Sequence, residues 1–402
     1  MNNRILYDAK GRPDIMVTFT PEELGLPAVL KGRQVKEYMI AKYPFTLIEG
    51  VPYSLPFHQP ATGFDFDTAV KLCEGKGEGW HLMTNDEWAA IAHMSLRNGT
   101  IPRGNTDGGK SHSHPEEAGI KFEGGYGKTL TGSGPITWSH DHTAEGVADL
   151  VGNIWEMVGG LRFMDGQPQI IPGNGAAAGA DQSAESDEWK PILTDDGDPI
   201  YFNVEDGGIR VQTKKPEEAA WDGISFADLD IDLSDVPEEL VKLGLCPPED
   251  FDGDDWIWVD TDGERAVCRG GNWGSGAGNG VFCFYALIPR SDSRVDLGGR
   301  SAFVCYSDQS DNLNNLDPET DQDAKTPKEP ETLPDYLRAI MAAQIAGIAS
   351  DADGAEILKK VKDATQKELA EAATLLPIIG QNSIAKRILD TAMKQAEKGV
   401  QG

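Results

Sequence analysis

Basic residues are scarce in this chain. Against 66 Asp and Glu it sets 36 Lys and Arg, giving a formal charge of −30 and a pI near 4.5. Neutralising a phosphate backbone takes clustered Lys and Arg, so this balance argues against nucleic acid and anionic membrane surfaces as partners. It suits a very soluble protein that works exposed to solvent, or one that binds cations. No apolar run approaches the ~18 residues of a membrane span, so no membrane insertion is expected. The opening MNNRILYDAKGRPDIMV has no basic stretch followed by an apolar one, which points to synthesis in the cytoplasm without a secretory signal. Cysteine is also sparse and odd in number: Cys73, Cys246, Cys268, Cys283 and Cys305. None forms a CxxC pair or lies near a His at zinc spacing, so reduced and mostly buried thiols are expected. A disulfide between Cys268 and Cys305 is left open. No P-loop, HExxH or nucleophile elbow occurs, and no internal repeat is evident.

A narrower absence is more informative. From Gly274 to Asp296 the chain uses no Lys, Glu, Gln, Met or Trp. Those five are the amino acids that no codon ending in a pyrimidine encodes, which is a genetic regularity rather than a folding one. The stretch is bracketed by Arg269-Gly270-Gly271-Asn272-Trp273 and Gly298-Gly299-Arg300-Ser301-Ala302-Phe303.

With 402 residues, 39% of them apolar, the chain has room for two or three domains. Residues 1–42 read as an N-terminal element, with a strand at Ile15–Phe19 and a helix start at Pro21-Glu22-Glu23. A main domain spans 43–306. Within it Phe66–Cys73 has helical spacing, and Thr84 with Glu87 forms a capping-box signature for a helix running through Met94. Gly, Ser and Thr density predicts long loops over 100–145, continuing with acidic runs over 165–265. Residues 307–334 read as an acidic flexible linker, and 335–402 as a small helical domain that oligomerises or docks to a partner.

Four motifs in order resemble the formylglycine-generating-enzyme type of C-type lectin fold: Gly79–Trp88, Gly152-Asn153-Ile154-Trp155-Glu156-Met157, Arg269–Trp273 and Gly298-Gly299-Arg300. The resemblance implies an α+β, loop-rich domain in which Trp80, Trp88, Trp155 and Trp273 are structural. The segment 268–303 further resembles the variable repeat of proteins diversified by retroelements, where template AAY codons are randomised at their adenines. That likeness implies that Gly274, Ser275, Gly278, Tyr285, Leu287, Ile288, Asp292, Arg294, Val295 and Asp296 stand at diversified positions. Asn279 is read as an unmutated or framework residue. On this reading Phe284, Tyr285, Leu287 and Ile288 supply apolar anchors, and Asp292, Arg294 and Asp296 polar specificity. Trp88, Trp155, Arg269, Gly270, Gly271, Asn272, Trp273, Arg290 and Arg300 hold the frame. The alternating Arg, Asp and Ser of 290–296 are costly to bury unpaired, so exposure is expected there. For 282–288 both surface and core remain open.

The oxidising enzymes of this type carry a cysteine pair where Ser275 and Gly280 stand here. Their iron-dependent relatives need a histidine cluster, for which the candidates are His112, His114, His140 and His142. Neither requirement is met at matching spacing, so catalysis is not expected. Asp252, Asp254, Asp260 and Asp262 place carboxylates on turns just before the repeat, and a structural Ca2+ is the cofactor they suggest. The resemblance implies a binding protein for a protein or glycan receptor on a bacterial surface, located on a phage tail or on a cell surface. The alternatives are a fixed lectin-like module and, behind it, an enzyme of the formylglycine-generating or non-haem iron type. One departure is that the chain continues past the repeat to Gly402, where variable repeats usually end the protein.

Overall fold

In the computed structural model, residues 3–8, 12–205 and 207–309 are described. Apart from the turn Ser307–Gln309, the linker expected at 307–334 and the helices expected at 335–402 lie outside the described residues. The chain divides into units Met1–Ser310 and Asp311–Gly402, and the first carries the described fold.

Local chemistry fixes the helices. Thr84 is extended; its hydroxyl accepts the Glu87 N–H at 3.2 Å, and the Glu87 carboxylate accepts the Thr84 N–H at 3.0 Å. This is the reciprocal satisfaction of orphan helix donors that the spacing predicts. The helix Asn85–Asn98 then runs to Gly99, which closes it with φ +64, a conformation that glycine adopts without steric cost. Asp65 starts the helix Phe66–Glu74 by accepting the Thr68 N–H, and Thr20 with Glu23 caps the short helix Pro21–Leu24.

The rest is mainly strand and loop. A six-stranded sheet runs in the order Asn3–Tyr7, Pro13–Phe19, Arg33–Ala41, Ser301–Tyr306, Trp80–Leu82, with Val29–Leu30 paired to Arg33–Ala41. The N-terminal strands are therefore not a separate element ending at 42. They are laddered to the strand that closes the repeat, Ala302 opposite Ile40 and Val304 opposite Tyr38. An eight-stranded sheet runs Lys190–Pro191, Gln167–Ile170, Trp155–Met164, Glu264–Arg269, Phe284–Ile288, Trp256–Asp260, Trp221–Ser225, with Leu297–Gly299 parallel to Trp155–Met164. Residues 165–265, expected as loops and acidic runs, thus supply five strands to this sheet. They also supply the three-stranded sheet Tyr201–Glu205, Gly208–Gln212, Asp230–Ile231. Each of these strands is short, and their acidic flanks hide the period-2 alternation from a composition-based reading.

The two large sheets meet at Arg300, between the strands Leu297–Gly299 and Ser301–Tyr306. Its fully buried guanidinium donates to both Glu156 oxygens at 2.9 and 2.7 Å, and to the carbonyls of Ala41 and Ala148, each at 2.9 Å. Glu156 lies in the eight-stranded sheet and Ala41 in the six-stranded one. Burial pushes the Glu156 carboxyl up while Arg300 pulls it down.

The cysteines are all buried and free. Cys268 lies in the eight-stranded sheet and Cys305 in the six-stranded one, so the disulfide left open above does not form. Burial raises the Cys73 and Cys246 thiols to about 12, which keeps them protonated near neutral pH.

Substituting Arg300→Met would strand the Glu156 carboxylate in the core. The expected loss is about 3–5 kcal/mol, read as a lowered urea midpoint. Adding Glu156→Leu should recover much of it; a double variant no more stable than the single one would show that the pair is not what joins the sheets.

Candidate functional site

The repeat is held by a frame in which nearly every contact is to backbone. Gly270 and Gly271 both have positive φ, and a Cβ on them would sit 2.3 Å from Leu150 O and 1.6 Å from Asn279 Oδ1. Only glycine fits either constraint. Asn279, buried, then clasps the chain across the turn: its Oδ1 accepts the Asn272 N–H at 3.0 Å, and its Nδ2 donates to Asn272 O at 2.8 Å. Asn272 extends the clasp to Asp296, Gly274 and Ser275. The Trp88 indole donates to Val281 O at 2.8 Å. Trp273, half-buried, packs on Gly127 and accepts the Gly108 N–H through its carbonyl. Arg290 binds Asp67 and Glu264 over the Phe66 ring.

Two buried charges complete the frame. Arg269 donates to Asn85 Oδ1 and to the carbonyls of Leu243, Gly244 and Phe282, all neutral acceptors. With no carboxylate bound to it, burial lowers it to about 9, still a cation at neutral pH. Asp255, which the sequence reading grouped with the acidic turn 252–255, accepts the Phe282 N–H at 2.7 Å. Burial raises its carboxyl to about 6, against the lowering effect of the Phe282 and Cys283 N–H groups. A Cβ at Gly280 would lie 2.0 Å from Asp255 Oδ1, so the carboxylate occupies the space that a side chain there would need.

The proposed contact residues then divide. Gly274 and Val295 are exposed, Val295 at 57%, and Ser275, Gly278, Tyr285, Leu287, Asp292, Arg294 and Asp296 are half-buried. Phe284 and Ile288 are core residues, 0% and 2% exposed, and their expected contact role is corrected accordingly. The reason lies in strand register. Phe284 and Ala286 point into the main core with Ile257 and Val259. A register shift between Ala266 and Cys268 puts Ile288 opposite Ala266 and Tyr285 opposite Cys268, so Ile288 packs in the second core while sharing a strand face with Tyr285.

That face runs as a row across the sheet: Gly223, Trp258, Tyr285, Cys268, Met157, Gly299. Its Cys268–Met157 end lies in the second core with Phe45, Phe64 and Phe66. Its Gly223–Trp258–Tyr285 end opens toward solvent. Trp256, 39% exposed, lies beside Trp258 with ring centres 6.0 Å apart. Tyr285 stacks obliquely on buried Trp155 at 5.0 Å, and the Arg294 guanidinium sits 5.2 Å over the Tyr285 ring. Asp296 and Asp292 flank Arg294 at 3.4 and 3.8 Å. Trp256 and Trp258 lie outside the repeat and escaped the sequence reading. The alternation Trp256-Ile257-Trp258-Val259 was the available signal, since it marks a strand with one aromatic, outward face.

The expected calcium ligands do not converge. Asp252 and Asp254 precede the strand Trp256–Asp260, whereas Asp260 and Asp262 lie at its far end, roughly 13 Å of strand apart at 3.3 Å per residue. Asp260 and Asp262 are instead engaged by Arg265 at 2.8 and 3.4 Å. The histidines also stand apart: His112 pairs with Thr106, His114 with Ser113, His140 with the Val147 N–H, and His142 with Ile101 O. Among the described residues, no group of three or more His, Cys, Asp and Glu is arranged to hold a metal ion. Compared with known proteins, the chain matches no family and no curated protein.

Gly280→Ala should force Asp255 off the loop amides and lower stability by about 1–3 kcal/mol, measured by thermal unfolding. A pH series tests the same contact. Because the folded Asp255 carboxyl titrates above its ordinary 3.8, its protonation favours the folded state at low pH. That contribution is lost as pH rises from about 4 through about 6. Asp255→Asn should therefore show a smaller fall in Tm over that window than the unsubstituted protein; parallel curves would remove Asp255 as the titrating group.

Proposed function

We propose that residues 268–303 are a retroelement-diversified, ligand-binding face carried on a C-type lectin fold of the formylglycine-generating-enzyme type. The observation that carries this reading is a coincidence of two independent properties. The stretch 274–296 uses only amino acids reachable by pyrimidine-ending codons. Of its ten expected diversified positions, all but Ile288 have solvent access. Positions that bind backbone, Gly271, Asn272, Asn279 and Gly280, fall among the unvaried ones. A surface can change residue types without loss of fold only if the frame beneath it does not depend on them.

On this proposal the protein is a receptor binder for a protein or glycan on a bacterial surface, carried on a phage tail or a cell surface. Residues 335–402 serve to tether or oligomerise the binding head. The buried Gly280, jammed against Asp255, has no room for the thiol that the oxidising relatives of this fold carry there, which favours binding over that chemistry.

Two measurements test the reading. DNA flanking the gene should hold a near-copy of the 268–303 coding segment that differs only at adenines, with AAY codons opposite Gly274, Ser275, Tyr285 and Arg294. Its absence would leave a fixed lectin-like module. Independently, a library of AAY-derived residues at 274, 275, 285, 292, 294, 295 and 296 should keep cooperative unfolding, with most members within about 1 kcal/mol of the parent. General loss of folding across that library would refute a diversified face.

A further inference from the structure

We infer that this face takes a neutral saccharide, one pyranose ring of which stacks on Trp256 and Trp258 as a fixed subsite beside the diversified positions. The inference rests on the reading of 268–303 as a binding face and narrows its ligand class.

The two indoles are outward neighbours on one strand, tilted 34° to each other. Trp258 is braced from behind by Trp155, edge-on at 5.9 Å, and by Tyr285 at 5.9 Å. Glycine backbone approaches from both sides. A Cβ at Gly223 would lie 2.3 Å from the Trp258 ring, and one at Gly278 3.3 Å from Trp256. The platform is thus positioned before any ligand arrives, which lowers the entropy lost on binding.

Its polar groups also point outward. The indole N–H groups of Trp88, Trp138 and Trp189 donate to Val281 O, Glu117 and Ser183 O. Those of Trp256 and Trp258 meet no acceptor among the described residues, and neither is a buried orphan. Tryptophan N–H groups taken out of water ordinarily find partners, so these two are free for a ligand.

Local charge selects a neutral ligand. The chain's charge of −30 disfavours an anion. A cationic ligand would find the flanking rings already taken, since Arg294 covers Tyr285 and the Lys128 ammonium sits 5.5 Å over Trp273. What remains is bare indole surface edged by the carboxylates Asp292 and Asp296, the Arg294 guanidinium and the Ser275 hydroxyl. A pyranose matches this pattern. Its C–H face is apolar, and its hydroxyls both donate and accept. A proline-rich peptide would also lie on aromatic rings but offers few donors to the carboxylates. Because Trp256 and Trp258 precede the repeat, diversification would vary the substituents recognised while the ring subsite stays constant.

The full chain should be titrated with maltose, lactose, cellobiose and N,N′-diacetylchitobiose, following tryptophan fluorescence and saturation-transfer NMR. At least one sugar is expected to bind. Trp256→Ala and Trp258→Ala should each weaken it at least tenfold without lowering Tm, Trp258→Phe should retain part of it, and Ser275→Ala or Arg294→Ala should change the preferred sugar. Binding by none of the four, undiminished binding in both alanine variants, or a fluorescence response to decaproline instead would overturn the inference. If the residue library above still folds in any of those cases, the binding-face reading survives alone. If the library fails to fold, both fall together.

Discussion

The ion pair between Arg300 and Glu156 is the contact on which the rest of this domain depends. It lies fully buried where the chain passes from one large sheet into the other, and the same guanidinium also binds carbonyls of Ala41 and Ala148. Burying two charges costs several kcal/mol of hydration, which is returned only if every donor and acceptor is engaged in good geometry. Here all three nitrogens of the guanidinium are engaged. The geometry therefore specifies which strands meet and in what register, and a displaced sheet would leave a charge unpaired in the core.

A second set of buried polar groups does for the repeat what Arg300 does for the sheets. Arg269, Asp255, Asn279 and the Trp88 indole each bind main-chain atoms of the loop or its flanks, rather than the side chains at the diversified positions. A frame anchored through main-chain atoms is indifferent to residue type at the exposed positions. That gives a physical basis for variation on a fixed conformation, independent of what the face binds.

The binding face itself comes from unequal cover on one sheet surface. The row from Gly223 to Gly299 is continuous, yet only its Cys268–Met157 end receives the aromatic cover of Phe45, Phe64 and Phe66. Trp258 and Tyr285 mark the boundary, backed by Trp155 and open in front. Arg294 over Tyr285, and Lys128 over Trp273, bring positive charge to the rim of an otherwise strongly acidic protein.

Sequence alone determined whatever depends on neighbours along the chain. The capping box at Thr84 and Glu87, the helix from Phe66, the strand at Ile15–Phe19 and the glycine-rich turn at 270–271 follow from short-range geometry. The codon restriction of 274–296 is likewise visible only in sequence. The strands within 165–265 were hidden, because each is brief and gains its stability from partners far along the chain. Tertiary structure alone decided that residues 1–42 share a sheet with 301–306, that four aspartates near the repeat stay apart, and that Asp255 is a buried anchor. It also decided that Phe284 and Ile288 are core while Trp256 and Trp258 are surface. Each of these depends on which strand lies alongside and whether a register shift turns a side chain inward or outward. Such facts are set by pairing across hundreds of residues, where a shift of one position reverses a face.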